Sequence, residues 1–380
     1  MNIWIGEKLS VIDFFSFLDA PKFLRQEWKD ATNKIIDSGV FVGGPAVDSF
    51  ESEWSEYLGV KHAVGVGNGY DAILIALKAL GIGHGDKVAV PSHTFVAPWL
   101  AVGAVGAEPI GIDCDENGLM DLNLLEASHH LIAAVIAVHM HGQMVDMPRL
   151  CKWASKNKVR VIEDCAQSHG ARINGKLAGT WGDFGAFSFY PTKNIGALGD
   201  AGSLVTNDEG LAHIARSYSN YGSKIGHKYS YQFHGLNSRL DSIQAAILNV
   251  NLQYLDLWNL KRQEIASHYK LSLEKLGISF LPNDENSVYH HFIVLSENRD
   301  ESRALLKNVG VNTEIHYPEC AEMSYGQIVK KDPTSRPKMA TQLAEKTLSL
   351  PISPWMTESN IDKILLSLAS KNVLASFIFK

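Results

Sequence analysis

The chain has 380 residues and 46% apolar content, more than one hydrophobic core usually accommodates, so two domains in one subunit are expected. A formal charge of −6 over that length offers no basic surface of the kind nucleic acid requires, which sets that partner aside. Cys114, Cys151, Cys165 and Cys320 stand far apart with no C-x-x-C pair, indicating neither a zinc site nor a disulfide framework and fitting a reducing cytoplasm.

Near the start, Phe14-Phe15 and Phe17-Leu18 are apolar, but Glu7, Lys8, Asp13 and Asp19 interrupt any signal-peptide core. Leu24, Trp28, Ala31 and Ile35 share one face of a helix over 22–38, with Gly39 just past its end. Residues 41–50, containing Gly43-Gly44-Pro45, read as a loop. From His62 the pattern alternates, with strands at 62–66, 87–90, 109–113, 131–138 and 159–164 and helices at 71–80, 95–105 and 147–157. The apolar run 131–138 is far too short for a membrane span and suits a buried strand, so no membrane partner is expected. Asp121 and Asp146 precede helical patterns as caps. This alternation predicts an α/β fold with a large, doubly wound, mostly parallel sheet.

After the strand-like Leu204-Val205-Thr206 the chain turns helical, with Leu240, Ile243, Ala246, Ile247 and Val250 at helical spacing. A long, broken helical region over 241–276 holds the expected boundary between a large domain, 1–250, and a smaller carboxyl-terminal α/β domain, 251–380. In the latter, strands at 288–295 and 313–317 alternate with helices at 301–309, 339–349 and 361–370.

Two strand ends offer one amine and one carboxylate. The apolar run Phe184-Gly185-Ala186-Phe187 leads into Ser188-Phe189-Tyr190-Pro191-Thr192-Lys193-Asn194, and Val159-Arg160-Val161-Ile162-Glu163 ends at Asp164. A lysine in a partly desolvated pocket loses its proton more easily and can condense with an aldehyde. A carboxylate kept ionised against a pyridine nitrogen holds that nitrogen protonated and makes the ring an electron sink. Both needs are those of pyridoxal phosphate. Gly65-Val66-Gly67-Asn68-Gly69 lies between a strand and a helix, but Tyr70 replaces the third glycine of a dinucleotide fingerprint, so a helix N-terminus holding one phosphate is the better reading. His139 and His141, two apart on a strand, share a face, but no third ligand follows nearby and no metal is expected.

Ile162-Glu163-Asp164-Cys165-Ala166-Gln167-Ser168-His169-Gly170, Gly182-Asp183 and Phe187-Ser188-Phe189-Tyr190-Pro191-Thr192-Lys193-Asn194 resemble the DegT/DnrJ/StrS family of nucleotide-sugar aminotransferases. Gly43-Gly44-Pro45, the glycine run, Asn237-Ser238-Arg239-Leu240-Asp241 and Ile315-His316-Tyr317-Pro318 extend the likeness over about 17–318. The resemblance implies aminotransferase fold type I, with Lys193 holding pyridoxal 5'-phosphate and moving protons and Asp164 facing the pyridine nitrogen. It implies that Gly69, the backbone of Tyr70 and Asp71, and the Ser188 hydroxyl cradle the phosphate, with Tyr70 standing where many relatives carry threonine. Phe95, by itself as easily a core residue, matches the ring that stacks on the pyridine. Gln167 matches the amide that hydrogen-bonds the ring hydroxyl, and His169 is expected beside the cofactor. Asn237 reads either as a helix N-cap or, by resemblance, as a ligand to the phosphate of the neighbouring subunit, which would require at least a homodimer with shared sites.

The resemblance further implies L-glutamate as donor and a nucleotide-linked keto-deoxysugar as acceptor, in deoxyaminosugar biosynthesis of the lipopolysaccharide kind. Tyr70, 220–223 and 235–239 look closest to relatives that aminate carbon 3 of dTDP-linked 6-deoxyhexoses, with a 4-keto substrate as the alternative. Tyr221, Arg239, His316, Tyr317 and the segments 220–235 and 287–292 are the candidates for holding the sugar. Pyridoxamine-dependent dehydratases of this family carry histidine in place of the lysine, and a silent member should have lost Asp164 or Lys193; this chain keeps both.

Overall fold

In a computed structural model, residues 11–377 are described apart from 129, 130, 225, 228, 285 and 330–336. Glu7, Lys8 and two positions of segment 220–235 therefore lie outside the described residues. Helix α1 spans Lys22–Ser38, buries Leu24, Trp28 and Ile35, and ends at Gly39 in the left-handed conformation. The stretch expected as a loop instead starts a helix, α2 (Pro45–Leu58): proline occupies the first turn, where its missing N–H costs nothing, and Phe50, Trp54 and Leu58 recur on one buried face.

Next come β1 (His62–Val66), α3 (Gly69–Ala79), β2 (Lys87–Pro91), α4 (Ala97–Ala104), β3 (Glu108–Ile112), α5 (Leu122–Ala127), β4 (Ala134–Val138), α6 (Met147–Asn157) and β5 (Arg160–Asp164). Asp121 caps α5 through the Asn123 N–H, and Asp146 caps α6 through the Arg149 N–H. A two-residue ladder, β6 (Arg172–Ile173) with β7 (Lys176–Leu177), precedes β8 (Phe184–Ser188) and β9 (Gly202–Thr206). Seven strands pair in the order β1-β9-β8-β5-β4-β2-β3, and only β9 runs against its neighbours. The carboxyl ends of β1, β2, β4, β5 and β8 therefore open on one edge, where doubly wound sheets bind ligands.

The largest core lies between this sheet and its helices. Beneath β8, fully buried Trp54 meets Phe187 and Phe189 edge to face, with ring centroids 5.0 and 5.5 Å away. Each such buried side chain stabilises the fold by roughly 2–3 kcal/mol, enough to hold the strand that carries Ser188.

The remainder comprises α7 (Glu209–Ser219), α8 (Ser242–Leu252), α9 (Leu255–Leu276), β10 (Phe292–Leu295), α10 (Arg299–Asn308), α11 (Ala321–Val329), α12 (Lys338–Lys346), β11 (Thr347–Leu350), α13 (Glu358–Ala369) and α14 (Lys371–Phe377). β10 and β11 pair antiparallel over a second core that includes Tyr269, Phe292, Leu348 and Ile364. The expected helix over 339–349 stops at Lys346, because the next four residues are all buried in the β10 ladder. Residues 313–317 form no strand, only an isolated bridge from Glu314 to Ser349. Among the described residues no helix is long and apolar enough to cross a membrane.

Candidate active site

The sheet edge opens into a cavity of about 380 Å³ bounded by Asp164, Lys193, Ser188, Gly69 and, from the segment before α11, His316 and Tyr317. Asp164 ends β5 and is buried. Its Oδ1 accepts the Ala166 N–H at 3.0 Å, and among the described bonds its other oxygen is left to the cavity. Burial raises its carboxyl above the usual range, while the Ala166 N–H and the Lys193 charge pull it back. Lys193 follows β8 on a turn closed by its own N–H to the Tyr190 carbonyl. Burial lowers its amine to about 8, against the opposing pull of Asp164.

The lysine loop is fastened on its far side. Asn194 donates to Asn259 Oδ1 at 2.7 Å and to the Val288 carbonyl at 2.9 Å, and its Oδ1 lies 3.0 Å from His290 Nδ1. His316 Nδ1 lies 2.8 Å from Ser349 Oγ, and burial lowers its ring to about 4, so it is neutral near pH 7.

A helix N-terminus closes the other end of the cavity. Asn68 caps α3 by accepting the Asp71 N–H, which leaves the Gly69 and Tyr70 N–H groups without a partner among the described bonds. A Cβ on Gly69 would lie 2.6 Å from Ser188 Cβ, so only glycine lets this N-terminus sit against the Ser188 side chain. Two free N–H groups and a hydroxyl at a helix start suit a phosphate, and the amine and carboxylate further in suit an aldehyde and a pyridine nitrogen. The residues present fit pyridoxal phosphate.

Phe95 is 55% exposed and bounds the cavity, its ring 5.6 Å from Tyr317, so it is not a core residue. Gln167 donates to the Tyr317 hydroxyl at 3.1 Å and accepts the His141 N–H at 2.7 Å. Asp71 turns away from the cavity to accept the Ser238 hydroxyl at 2.6 Å. Tyr221, Asn237 and Arg239 are exposed and do not bound this chain's cavity. Asn237 is no N-cap, since α8 begins at Ser242 with Asp241 before it and Asn237 bridges Asn220. His169, expected beside the cofactor, lies under β8 instead: its Nε2 is 2.9 Å from the Ser188 carbonyl and its ring packs on Phe187 and Phe189.

Glu163 carries a role that the sequence did not reveal. Its oxygens accept the Gly179, Trp181 and Gly182 N–H groups and meet His139 Nε2 at 3.1 Å. Ligand atoms of His139, Glu163 and Cys165 lie within 4.8 Å of one another, but these bonds, with the Val145 N–H on His139 Nδ1, already occupy the carboxylate and the imidazole. Asn259 was equally hidden, 65 residues from the asparagine that it holds, with no local pattern to mark it.

A model of the DegT/DnrJ/EryC1/StrS aminotransferase family matches residues 23–369. A dTDP-3-amino-3,4,6-trideoxy-alpha-D-glucose transaminase of Streptomyces venezuelae is 40% identical over 91% of this chain and 92% of its own. A dTDP-3-amino-3,6-dideoxy-alpha-D-galactopyranose transaminase of Aneurinibacillus thermoaerophilus is 39% identical over 93% and 98%. The crystal structure of S. venezuelae DesV in complex with a ketimine intermediate superposes with a TM-score of 0.90 at 39% identity, covering 95% of this chain and 98% of that one.

Proposed function

The chain belongs to the DegT/DnrJ/EryC1/StrS aminotransferase family and is a pyridoxal-phosphate-dependent sugar aminotransferase, and from that premise we propose that it transfers the amino group of L-glutamate to a dTDP-linked 3-keto-6-deoxyhexose. The observation that carries the reading is the convergence of Lys193, Asp164 and the Gly69–Ser188 cradle on one cavity. The names of two relatives near 40% identity, both for dTDP-linked 3-amino sugars, favour carbon 3 over carbon 4.

The bound cofactor supplies an aldehyde for the amine and a ring that draws electrons from the bond being broken. Lys193 anchors it, then accepts the donor's α-proton at Nζ and returns it, a role that an amine held near 8 can perform in both directions. Asp164, whose carboxyl burial raises, would be favoured in its ionised form by a positive partner in the cavity, and would so hold a proton on the pyridine nitrogen. Neutral His316 and Tyr317 line the wall against which the sugar turns its ketone. When the ketone oxygen leaves as water, Nζ of Lys193 is the proton carrier within the cavity.

A homodimer with sites built from two chains belongs to the same reading. It is supported by the exposure of Asn237, Arg239 and Tyr221 away from their own cavity and by the exposed apolar side chains of Val40, Phe41 and Val42. A division near residue 250 is supported by the first core, which draws few residues from beyond Leu255. Four unpaired cysteines favour the cytoplasm.

The test is the first half of the reaction. Holoenzyme mixed with L-glutamate alone should lose its visible absorbance and release one equivalent of 2-oxoglutarate, and Lys193→Ala should do neither; no 2-oxoglutarate from the wild type would overturn glutamate as donor.

A further inference from the structure

His141 sits on the turn after β4 with φ 59°, a left-handed conformation uncommon for any residue with a Cβ, although histidine adopts it more readily than most. Its side chain is fully buried, and its Nδ1 lies 3.2 Å from Nδ1 of His291, which belongs to the segment before β10. Burial lowers both rings well below the usual imidazole range and so keeps them neutral, and one Nδ1 carries the hydrogen while the other accepts it. The backbones are joined as well: the Val288 N–H reaches the Gly142 carbonyl at 3.0 Å, and the His291 N–H reaches the His141 carbonyl at 3.4 Å. Gly142, at φ 101°, has no room for a side chain, because a Cβ would lie 2.6 Å from the Tyr289 nitrogen. Turn and segment are thus clamped together.

The clamp aims one group. With its backbone in this conformation, His141 points its N–H at Oε1 of Gln167, 2.7 Å away. A side-chain amide has one acceptor end and one donor end, and here the acceptor end is taken. The donor end gives one hydrogen to the Tyr317 hydroxyl at 3.1 Å, and its other hydrogen has no partner among the described bonds, on a side chain that bounds the cavity. Were the amide to rotate by half a turn, a carbonyl oxygen would face the cavity instead.

We propose that His141 is a positioning residue: clamped by His291, its left-handed backbone fixes the Gln167 amide so that its NH2 always faces the cofactor's ring oxygen. This rests on the reading that Gln167 meets that oxygen, and it adds the device that chooses which end of the amide is offered. A donor there stabilises the charged oxygen and draws electrons from the ring. Its loss lets the cofactor's visible chromophore hold its proton to higher pH.

The experiment is a visible pH titration of the bound cofactor in the holoenzyme, with cofactor content measured in each variant. Gln167→Leu, which abolishes the contact, should raise the midpoint by about one pH unit, the scale of one hydrogen bond to a charged group. His291→Leu, which frees the His141 ring, and His141→Gly, which frees its backbone, should each shift the midpoint the same way. His141→Gly combined with Gln167→Leu should move it no further than Gln167→Leu alone. A shift in Gln167→Leu with none in His291→Leu or His141→Gly overturns the proposal and leaves the Gln167 contact standing. No shift in Gln167→Leu removes both. If His141→Gly fails to retain cofactor, His291→Leu decides.

Discussion

Asn194, the residue after Lys193, donates its side-chain amide to Oδ1 of Asn259 at 2.7 Å, and so ties the loop that carries the lysine to α9. The same amide satisfies the Val288 carbonyl, and Asn259 reaches back to the His169 carbonyl at 2.8 Å. Both asparagines are buried, so removing either strands its partners without water. Asn194→Ala should lower stability by roughly 2–4 kcal/mol, read from urea unfolding, and cofactor should leave the variant faster than the wild type. A loss no larger than that of an exposed asparagine would contradict this bracing role.

The Lys193 amine, lowered by burial to about 8, binds its proton less tightly in the folded chain than in the unfolded one, whose lysines titrate near 10.5. Between those values the unfolded chain holds more protons, so the stability of the cofactor-free protein should rise with pH across that window. Lys193→Met has no proton to lose and should lack this rise. Amine labelling of the apoenzyme at Lys193 should likewise show a midpoint near 8 rather than 10.5.

Gly69→Ala would set a Cβ 2.6 Å from that of Ser188 and push the start of α3 away from the hydroxyl. Loss of one or two of the donors gathered there should weaken cofactor binding by roughly 10- to 100-fold, measured as a dissociation constant by equilibrium dialysis. The fold should be retained, since the clash is confined to the first residue of α3 and alanine is a better helix former than glycine.

Shared sites predict complementation. Lys193→Ala and Asn237→Ala should each be inactive as homodimers, yet after mixing and subunit exchange about a quarter of wild-type activity should return, because each mixed dimer keeps one intact site. No recovery after proven exchange would place Asn237 outside the partner's site.

Much of this architecture was legible because it is local. Strand ends declare themselves by apolar runs, which is why Asp164 and Lys193 could be paired from the sequence, and the caps at Asp121 and Asp146 are written in single residues. What stayed hidden was non-local. Thr347–Leu350 continues a helical pattern until a strand far away in sequence claims it, and Pro45 looks like a turn residue until the face of α2 is found buried. Glu163 and Asn259 act through partners that only the fold brings near. His169 was misplaced because a histidine next to a site motif gives no hint of which face of the sheet it occupies.

The central claim, a glutamate-dependent sugar aminotransferase acting at carbon 3, is tested most directly by incubating the holoenzyme and L-glutamate with matched dTDP-linked 3-keto and 4-keto 6-deoxyhexoses and identifying the products by mass and NMR. Poses that differ by one ring carbon are separated by only a few kcal/mol, so a preference of roughly 100-fold or more in kcat/KM for the 3-keto sugar is expected, with the amine on carbon 3. Rapid amination of the 4-keto sugar with the 3-keto isomer left untouched would contradict it.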